Sequence, residues 1–168
     1  MMMAMSPPAS LENGLESFLA EAIRLGRDTM RAGEGGPFGA LIVRKGEVLA
    51  RGWNQVTSRN DPTAHAEMVA IREACRRVGD FRLAGCTLYV SCEPCPMCLA
   101  ACYWAGIERI VYAADRQDAA RIGFADAVIY EEVRLPPPAR KIVMEQAGRE
   151  AALAVFTEWE GMAEKVLY

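Results

Sequence analysis

The sequence predicts a single α/β layer domain, and three observations predict it. Two short, continuously apolar runs, Thr87-Leu88-Tyr89-Val90 and Ile110-Val111-Tyr112-Ala113, have the length and β-rich composition of buried strands. The segments around them carry helical periodicity, and strands alternating with helices in this way pair in parallel within a layered fold. The chain of 168 residues is also one domain long, and a domain of that size buries roughly 68–70% of its unfolded surface. It needs no disulfide staple.

Residues 1–10 read as a flexible tail and residues 11–168 as the domain. Leu15, Phe18, Leu19 and Ala22 follow the i, i+3, i+4, i+7 rule behind Ser10 or Asn13 as the cap, and Gly33, Gly35 and Gly36 stop that helix. Ala40–Val43 and Val48–Ala50, split by Lys45-Gly46, form a hairpin. A polar loop runs from Asn54 to Pro62. From Ala64 to Val78, Met68, Ile71, Cys75 and Val78 share one helical stripe that ends at Gly79, and this helix opens on the only histidine of the chain. After the Thr87–Val90 strand, a small-residue helix spans Cys95–Ala105 and closes at Gly106; the buried strand Ile110–Ala113 follows. Ala119–Phe124 reads as one helical turn, Leu135–Pro138 as a proline-rich connector and Ile142–Met144 as a weak strand. Ala152, Val155, Phe156, Trp159, Ala163 and Val166 form the stripe of a last helix that runs to Tyr168. There is no internal repeat and no low-complexity segment.

Composition narrows the function. Nineteen Lys and Arg against 22 Asp and Glu give a net charge of −3, which argues against a dedicated nucleic-acid binder, because affinity for phosphate backbones comes from clustered basic residues. No stretch approaches the roughly 18 uninterrupted apolar residues of a membrane span. The start, Met1 to Pro8, lacks a basic region before an apolar core, so no secretory signal is read there. The six cysteines, Cys75, Cys86, Cys92, Cys95, Cys98 and Cys102, crowd into one third of the chain. That pattern suits a reducing, cytoplasmic compartment, where neighbouring thiols signal metal or burial.

The residues that carry chemistry are Thr63-Ala64-His65-Ala66-Glu67 at one helix start and Ser91-Cys92-Glu93-Pro94-Cys95-Pro96-Met97-Cys98 at another. One imidazole and two thiolates three residues apart are suitable zinc donors, and a set of three protein ligands leaves the fourth tetrahedral position to a water, as in catalytic sites. Both segments sit at helix N-termini, where the dipole and free N–H groups favour thiolates. Glu67 follows His65 by two residues, about 200° around an ideal helix, so the two converge only if the metal lies above the helix end. There the carboxylate can move a proton between water and a leaving group. His-x-Glu followed by Pro-Cys-x-x-Cys is the pattern of zinc nucleobase deaminases. Cys75, Cys86, Cys92 and Cys102 read as buried small hydrophobes, with Cys92 as the one candidate for a fourth ligand.

On these motifs, together with Gly36-Pro37-Phe38-Gly39-Ala40, Asn60 through Glu67, Tyr103-Trp104-Ala105 and Ala119 to Asp126, the sequence resembles the cytidine-deaminase-like superfamily. Within it the chain is most similar to the small bacterial guanine deaminases, from about Gly35 to the C-terminus. The resemblance implies a three-layer α/β/α sandwich around a central mixed sheet. It implies Zn2+ held by His65, Cys95 and Cys98, Glu67 as proton shuttle, and hydrolytic deamination of guanine to xanthine and ammonia. Asn54 is implied as a base-positioning amide, Phe38 and Trp104 as apolar pocket walls, Ala66 as a further substrate contact and Asp126 as an acceptor for a purine. An acid pair stands at this last place in the enzymes resembled, whereas this chain has Ala125-Asp126.

The resemblance also implies a homodimer in which residues 139–168 are exchanged between subunits, with Leu135–Pro138 as hinge and Tyr168 closing the partner's pocket. The partner so implied is a small nucleobase, with neither nucleic acid nor membrane. The alternatives are a tRNA adenosine deaminase, which shares Asn60 through Glu67, a deaminase of cytosine or an analogue, and a non-catalytic zinc module with Cys92 as fourth ligand. Against tRNA stands the charge of residues 120–168, six basic side chains against eight acidic ones.

Overall fold

The computed structural model describes residues 9–167, and its backbone divides into two compact units, Met1–Ala127 and Val128–Tyr168. The first unit holds a four-stranded sheet. Helix α1 (Ala9–Arg31) precedes strands β1 (Gly39–Arg44) and β2 (Glu47–Trp53), a short helix α2 (Val56–Arg59) and helix α3 (Ala66–Val78). Strand β3 (Cys86–Cys92), helix α4 (Pro96–Trp104), strand β4 (Arg109–Ala114) and helix α5 (Arg116–Arg121) complete it. The sheet order is β2-β1-β3-β4, antiparallel at β1/β2 and β1/β3 and parallel at β3/β4. It is the mixed sheet of the predicted α/β sandwich, and the parallel pair is joined through α4, as such a pair requires a crossover.

Local chemistry sets the elements. Lys45 and Gly46 both take positive φ, 51° and 81°, which is the two-residue turn that matches the twist of a hairpin. Helix α3 ends where Gly79 adopts the left-handed conformation (φ 68°) and donates its N–H to the Cys75 carbonyl. Strand β3 is buried on both faces and lies in the middle of the sheet: Leu88 and Val90 pack with α3 and α4, while Tyr89 faces α1 with Leu41 and Val43. Burying a side chain such as Leu88 contributes about 1.5–3 kcal/mol. Two helical layers therefore sandwich the sheet, with α3 and α4 on one face and α1 on the other.

Glycine fixes how closely α3 approaches. A Cβ on Gly52 would collide with the Ala66 carbonyl and come within 2.6 Å of the Ala70 nitrogen. The first turn of α3 thus lies directly on β2, and this sets where His65 and Glu67 stand.

Several expectations need correction. Helix α1 begins at Ala9, so Ser10 and Asn13 lie inside it rather than capping it; the tail stops short of residue 10, and residues 1–8 lie outside the described ones. The loop from Asn54 to Pro62 contains α2, and Asn60 closes it in the left-handed conformation. Strand β4 is not buried: it is an edge strand with Arg109, Tyr112 and Ala113 exposed, because its other side has no partner among the described residues.

The second unit contains α6 (Ala127–Arg134, which starts on the last residue of the first unit), a 3-10 turn at Pro137–Ala139 and α7 (Arg149–Gly161). Ile142–Met144 pairs with no strand among the described residues. The last helix ends at Gly161, so Ala163 and Val166 lie beyond it. Inside this unit the Lys141 N–H donates to Glu132 Oε2 at 2.8 Å, and the Arg140 Nε–H to the Leu135 carbonyl at 3.0 Å. Its apolar side chains remain exposed, Ile142 at 78% and Val143 at 83%.

Candidate active site

Two helix starts meet over one edge of the core. His65 is the N-cap of α3 and Cys95 the N-cap of α4, both with extended backbone, and neither side chain makes a capping hydrogen bond. A capping side chain contributes about 1 kcal/mol; both helices give that up, and their first N–H groups are left facing the site. Pro96 occupies the first helical position of α4, where its missing N–H costs nothing. Cys98, two residues on, turns its sulfur to the same side as Cys95.

The geometry of the three donors is that of a metal site. His65 Nδ1 lies 3.6 Å from Cys95 Sγ and 3.6 Å from Cys98 Sγ, and all three atoms fall within 4.8 Å of one another. Zinc bonds of about 2.05 Å to nitrogen and 2.3 Å to sulfur, at a tetrahedral angle, put N and S about 3.6 Å apart. The donor set and its spacing fit zinc, and no fourth His, Cys, Asp or Glu joins the group among the described residues. Cys92 is directed elsewhere: its Sγ lies 3.6 Å from the Asp115 carbonyl, and burial pushes its thiol up to about 11. Cys86 and Cys102 are buried core residues, as expected, Cys75 packs beside them, and all six cysteines are free.

The electrostatics are those of a charge-sharing cluster. The hydrogen bond from Cys98, with help from His65, pulls the Cys95 thiol down to about 4, while the same hydrogen bond, together with burial, pushes Cys98 up. The hydrogen bond to Cys95 raises His65 above its ordinary value. Glu67, the second residue of α3, is 6% exposed, and burial pushes its carboxyl up to about 7. Cys95 and Cys98 both act on it, Cys98 through a side-chain hydrogen bond. His65 and Glu67 thus converge despite their 200° separation, because His65 stands before the helix rather than on its side.

Around this cluster the structure gathers most of the residues implied by the resemblance. Asn54 is buried, and its Oδ1 accepts the N–H of Gly36 at 3.2 Å and of Val56 at 3.3 Å. With the oxygen committed, the nitrogen is the end of the carboxamide left to donate. Gly35 makes this possible, since a Cβ there would collide with the Asn54 carbonyl. Phe38 is half-buried and meets the Phe124 ring edge-to-face, centroids 4.9 Å apart at 85°. Ala66 is fully buried at the first position of α3. Asp126 is half-buried; it lies near enough to act on His65, and the charge of Cys95 acts on it in turn. Trp104 is placed differently: it ends α4, about 9 Å along the axis from Cys98, and is 65% exposed. Tyr168 lies outside the described residues.

The sequence did not single out Phe124 as a wall, nor the pairing of Glu93 with Arg116. A signal for the segment that carries them existed in Asp115-x-x-Asp118, a capping box that starts α5.

The model for the cytidine and deoxycytidylate deaminase zinc-binding region matches residues 12–114. The chain belongs to this family. Within it, the guanine deaminase of Bacillus subtilis is 48% identical over 91% of this chain and 98% of that protein. Its crystal structure superposes with a TM-score of 0.88 over the same shares of the two chains. A guanine deaminase from Nitrosomonas europaea is 27% identical, with a TM-score of 0.64 over 94% of this chain and 95% of that one. The tRNA-specific adenosine deaminase of Aquifex aeolicus is 46% identical, but only over 101 residues, 60% of this chain and 66% of that protein. The likeness that this deaminase shares with the chain is thus confined to part of it, whereas the guanine deaminases match nearly end to end.

Proposed function

We propose that the protein is a zinc-dependent nucleobase aminohydrolase that converts free guanine and water to xanthine and ammonia. The preference for a free base over one within a nucleic acid is supported by one atom. Asp126 Oδ1 is buried and has no hydrogen-bond partner among the described residues, and burial raises its carboxyl above the ordinary range. A buried acceptor without a donor costs about 1–3 kcal/mol, so it favours a ligand that brings one. Free guanine carries ring N–H groups as well as its amino group. An adenosine or cytidine within a nucleic acid carries no ring N–H, and the acidic balance of residues 120–168 also disfavours a polyanion.

When bound, zinc supplies a Lewis acid that brings the pKa of a water near 7. Glu67, buried beside the metal donors, would accept a proton on the attacking side and return it to the departing amino nitrogen. The oxygen of water becomes bonded to C2 as the C2–N bond breaks. Asn54 donates to the base through its free amide nitrogen, the first N–H groups of α3 at Ala66 add a backbone donor, and Phe38 with Phe124 covers the flat faces.

Trp104 and Tyr168 belong to this pocket in a homodimer that exchanges residues 139–168, with the proline-rich Leu135–Pro138 stretch as hinge. The exposed apolar side chains of the second unit, Phe156 at 62% and Leu167 at 76% among them, support burial against a second copy. No helix among the described residues is long and apolar enough to cross a membrane, and a reduced, cytoplasmic setting suits the free thiols.

The test is ammonia release from purified protein on guanine, adenine, cytosine, isocytosine, ammeline and tRNA. Guanine is expected to be the fastest. Silence on guanine with turnover of tRNA or cytosine would overturn the proposal.

A further inference from the structure

Glu93 stands two residues before Cys95, in the loop that carries β3 into α4, and its carboxylate is committed to Arg116. The Arg116 Nε–H donates to both carboxylate oxygens, at 3.2 and 3.1 Å, and Nη2 donates to Oε1 at 2.5 Å. The backbone N–H of Arg116 also donates to Oε2 at 3.1 Å. The Glu93 N–H in turn donates to the Ala114 carbonyl at 2.8 Å, and Cys92 Sγ reaches the Asp115 carbonyl. Two successive residues at the start of the metal-ligand loop, Cys92 and Glu93, are therefore joined to three at the end of β4, Ala114, Asp115 and Arg116.

What this joint carries is α5 and the segment after it. Asp115 caps α5, accepting from Gln117 and Asp118 at 2.8 and 2.9 Å. The helix turns at Gly123 (φ 97°), where the Phe124 N–H closes onto the Ala119 carbonyl at 3.0 Å, and Phe124 and Asp126 emerge from that turn. A helix of six residues holds no direction of its own, so its orientation is set by what it is tied to. The tie is the planar, two-pronged arrangement that fixes geometry as well as energy. Its guanidinium holds Glu93 well below the usual carboxylate range, and the same charge acts on Asp126.

We propose that Glu93 and Arg116 are positioning residues whose bidentate pair keeps the Phe124–Asp126 segment in register with the metal-ligand loop, and that the pair thereby sets affinity for the base without holding the metal. This rests on the proposed contact of Asp126 with guanine.

The experiment uses zinc-loaded full-length Arg116→Met, Arg116→Lys, Glu93→Gln and Asp126→Asn, with steady-state kinetics and metal analysis. Calorimetric binding of guanine is measured for the same changes on a Glu67→Gln background. Arg116→Met and Glu93→Gln are expected to raise both KM and that Kd about tenfold, with kcat within about threefold and zinc content unchanged. Arg116→Lys keeps the charge and loses the fork, so it falls between them and wild type. Adding Asp126→Asn to Arg116→Met should cost less than the product of the two single effects, because both act on one contact. Unchanged KM and Kd, a loss confined to zinc content, or fully multiplicative effects would each overturn the assignment. If Arg116→Met does not fold, Glu93→Gln, which retains an oxygen acceptor, carries the test. A wild-type protein silent on guanine overturns the proposed activity and this assignment together, whereas an active wild type with unmoved variants overturns this assignment alone.

Discussion

Replacing Glu67 with Gln will abolish turnover and, in the zinc-free protein, raise stability at alkaline pH. Glu67 is 6% exposed and its carboxyl is pushed up to about 7, from an ordinary 4.5, first by burial and further by the charge on Cys95. For a group whose folded pKa is raised, the stabilisation is present below the unfolded value and is lost as pH rises through the folded one. The window therefore runs from about 4.5 to about 7. At 1.36 kcal/mol for each pKa step, the wild type loses about 3 kcal/mol across it. Gln has nearly the same shape and no charge to desolvate, while Cys95 and His65 titrate in both proteins and cancel to first order. Urea denaturation with chelator and reductant at pH 5 and pH 8 measures the difference. The two proteins should agree within about 1 kcal/mol at pH 5, and Glu67→Gln should be the more stable by about 3 kcal/mol at pH 8. Bound zinc places a positive charge beside the carboxylate and should narrow the gap. A Glu67→Gln protein that is no more stable than wild type at pH 8 would refute the claim that this carboxylate is held under strain for its chemistry.

Three further outcomes follow from the geometry. Cys95→Ser and Cys98→Ser should each lower zinc affinity more than about tenfold in a chelator competition, and full zinc content with full rate would remove them as ligands. Asn54→Ala leaves the N–H groups of Gly36 and Val56 without their acceptor. It should cost about 1–3 kcal/mol in denaturation, whereas Asn54→Asp should recover stability but not KM, since it retains the acceptor and loses the donor. Gly52→Ala drives a Cβ into the first turn of α3; it should lower the melting temperature by the equivalent of about 1–3 kcal/mol and weaken zinc binding together, and unaltered zinc affinity would show that the close approach does not set the position of His65.

Residues that bond or pack with near neighbours in sequence were legible; residues that depend on distant partners were not. The β1–β2 hairpin, α3 and α4 follow from local periodicity and from turn chemistry at Lys45-Gly46 and Gly79, so their positions agree with the sequence to within three residues. The metal donors were legible because the chemistry demands one spacing, and that spacing is written along the chain. Strand β4 was misjudged because Ile110–Ala113 has the composition of a central strand, while being an edge is a property of the sheet and not of the segment. Helix α6 and the true end of α7 were missed for a related reason. Every described residue of α7 is exposed, so its apolar positions answer to no core within their own unit. Phe124 acquires meaning only when it meets Phe38, 86 positions earlier in the sequence.

The division between what was legible and what was not falls where the chemistry divides. His65, Glu67, Cys95 and Cys98 all lie within residues 12–114, the stretch that matches the zinc-binding family. A metal at two helix starts with a buried carboxylate beside it acts on any amino-bearing ring carbon that reaches it, so these four residues do not choose among bases. Selection must come from groups that the metal does not need. Asp126 and Phe124 stand just past residue 114, on the short helix and turn tied back to the metal loop through Glu93 and Arg116. The tRNA-specific relative matches the chain over 101 residues, 60% of it, while the guanine deaminase of Bacillus subtilis matches over 91% of it. On the proposed contact of Asp126 with the base, this segment and its attachment contribute to specificity together with Asn54 and Phe38. A change of substrate would be sought there, because a substitution among the metal donors alters the rate for every base alike.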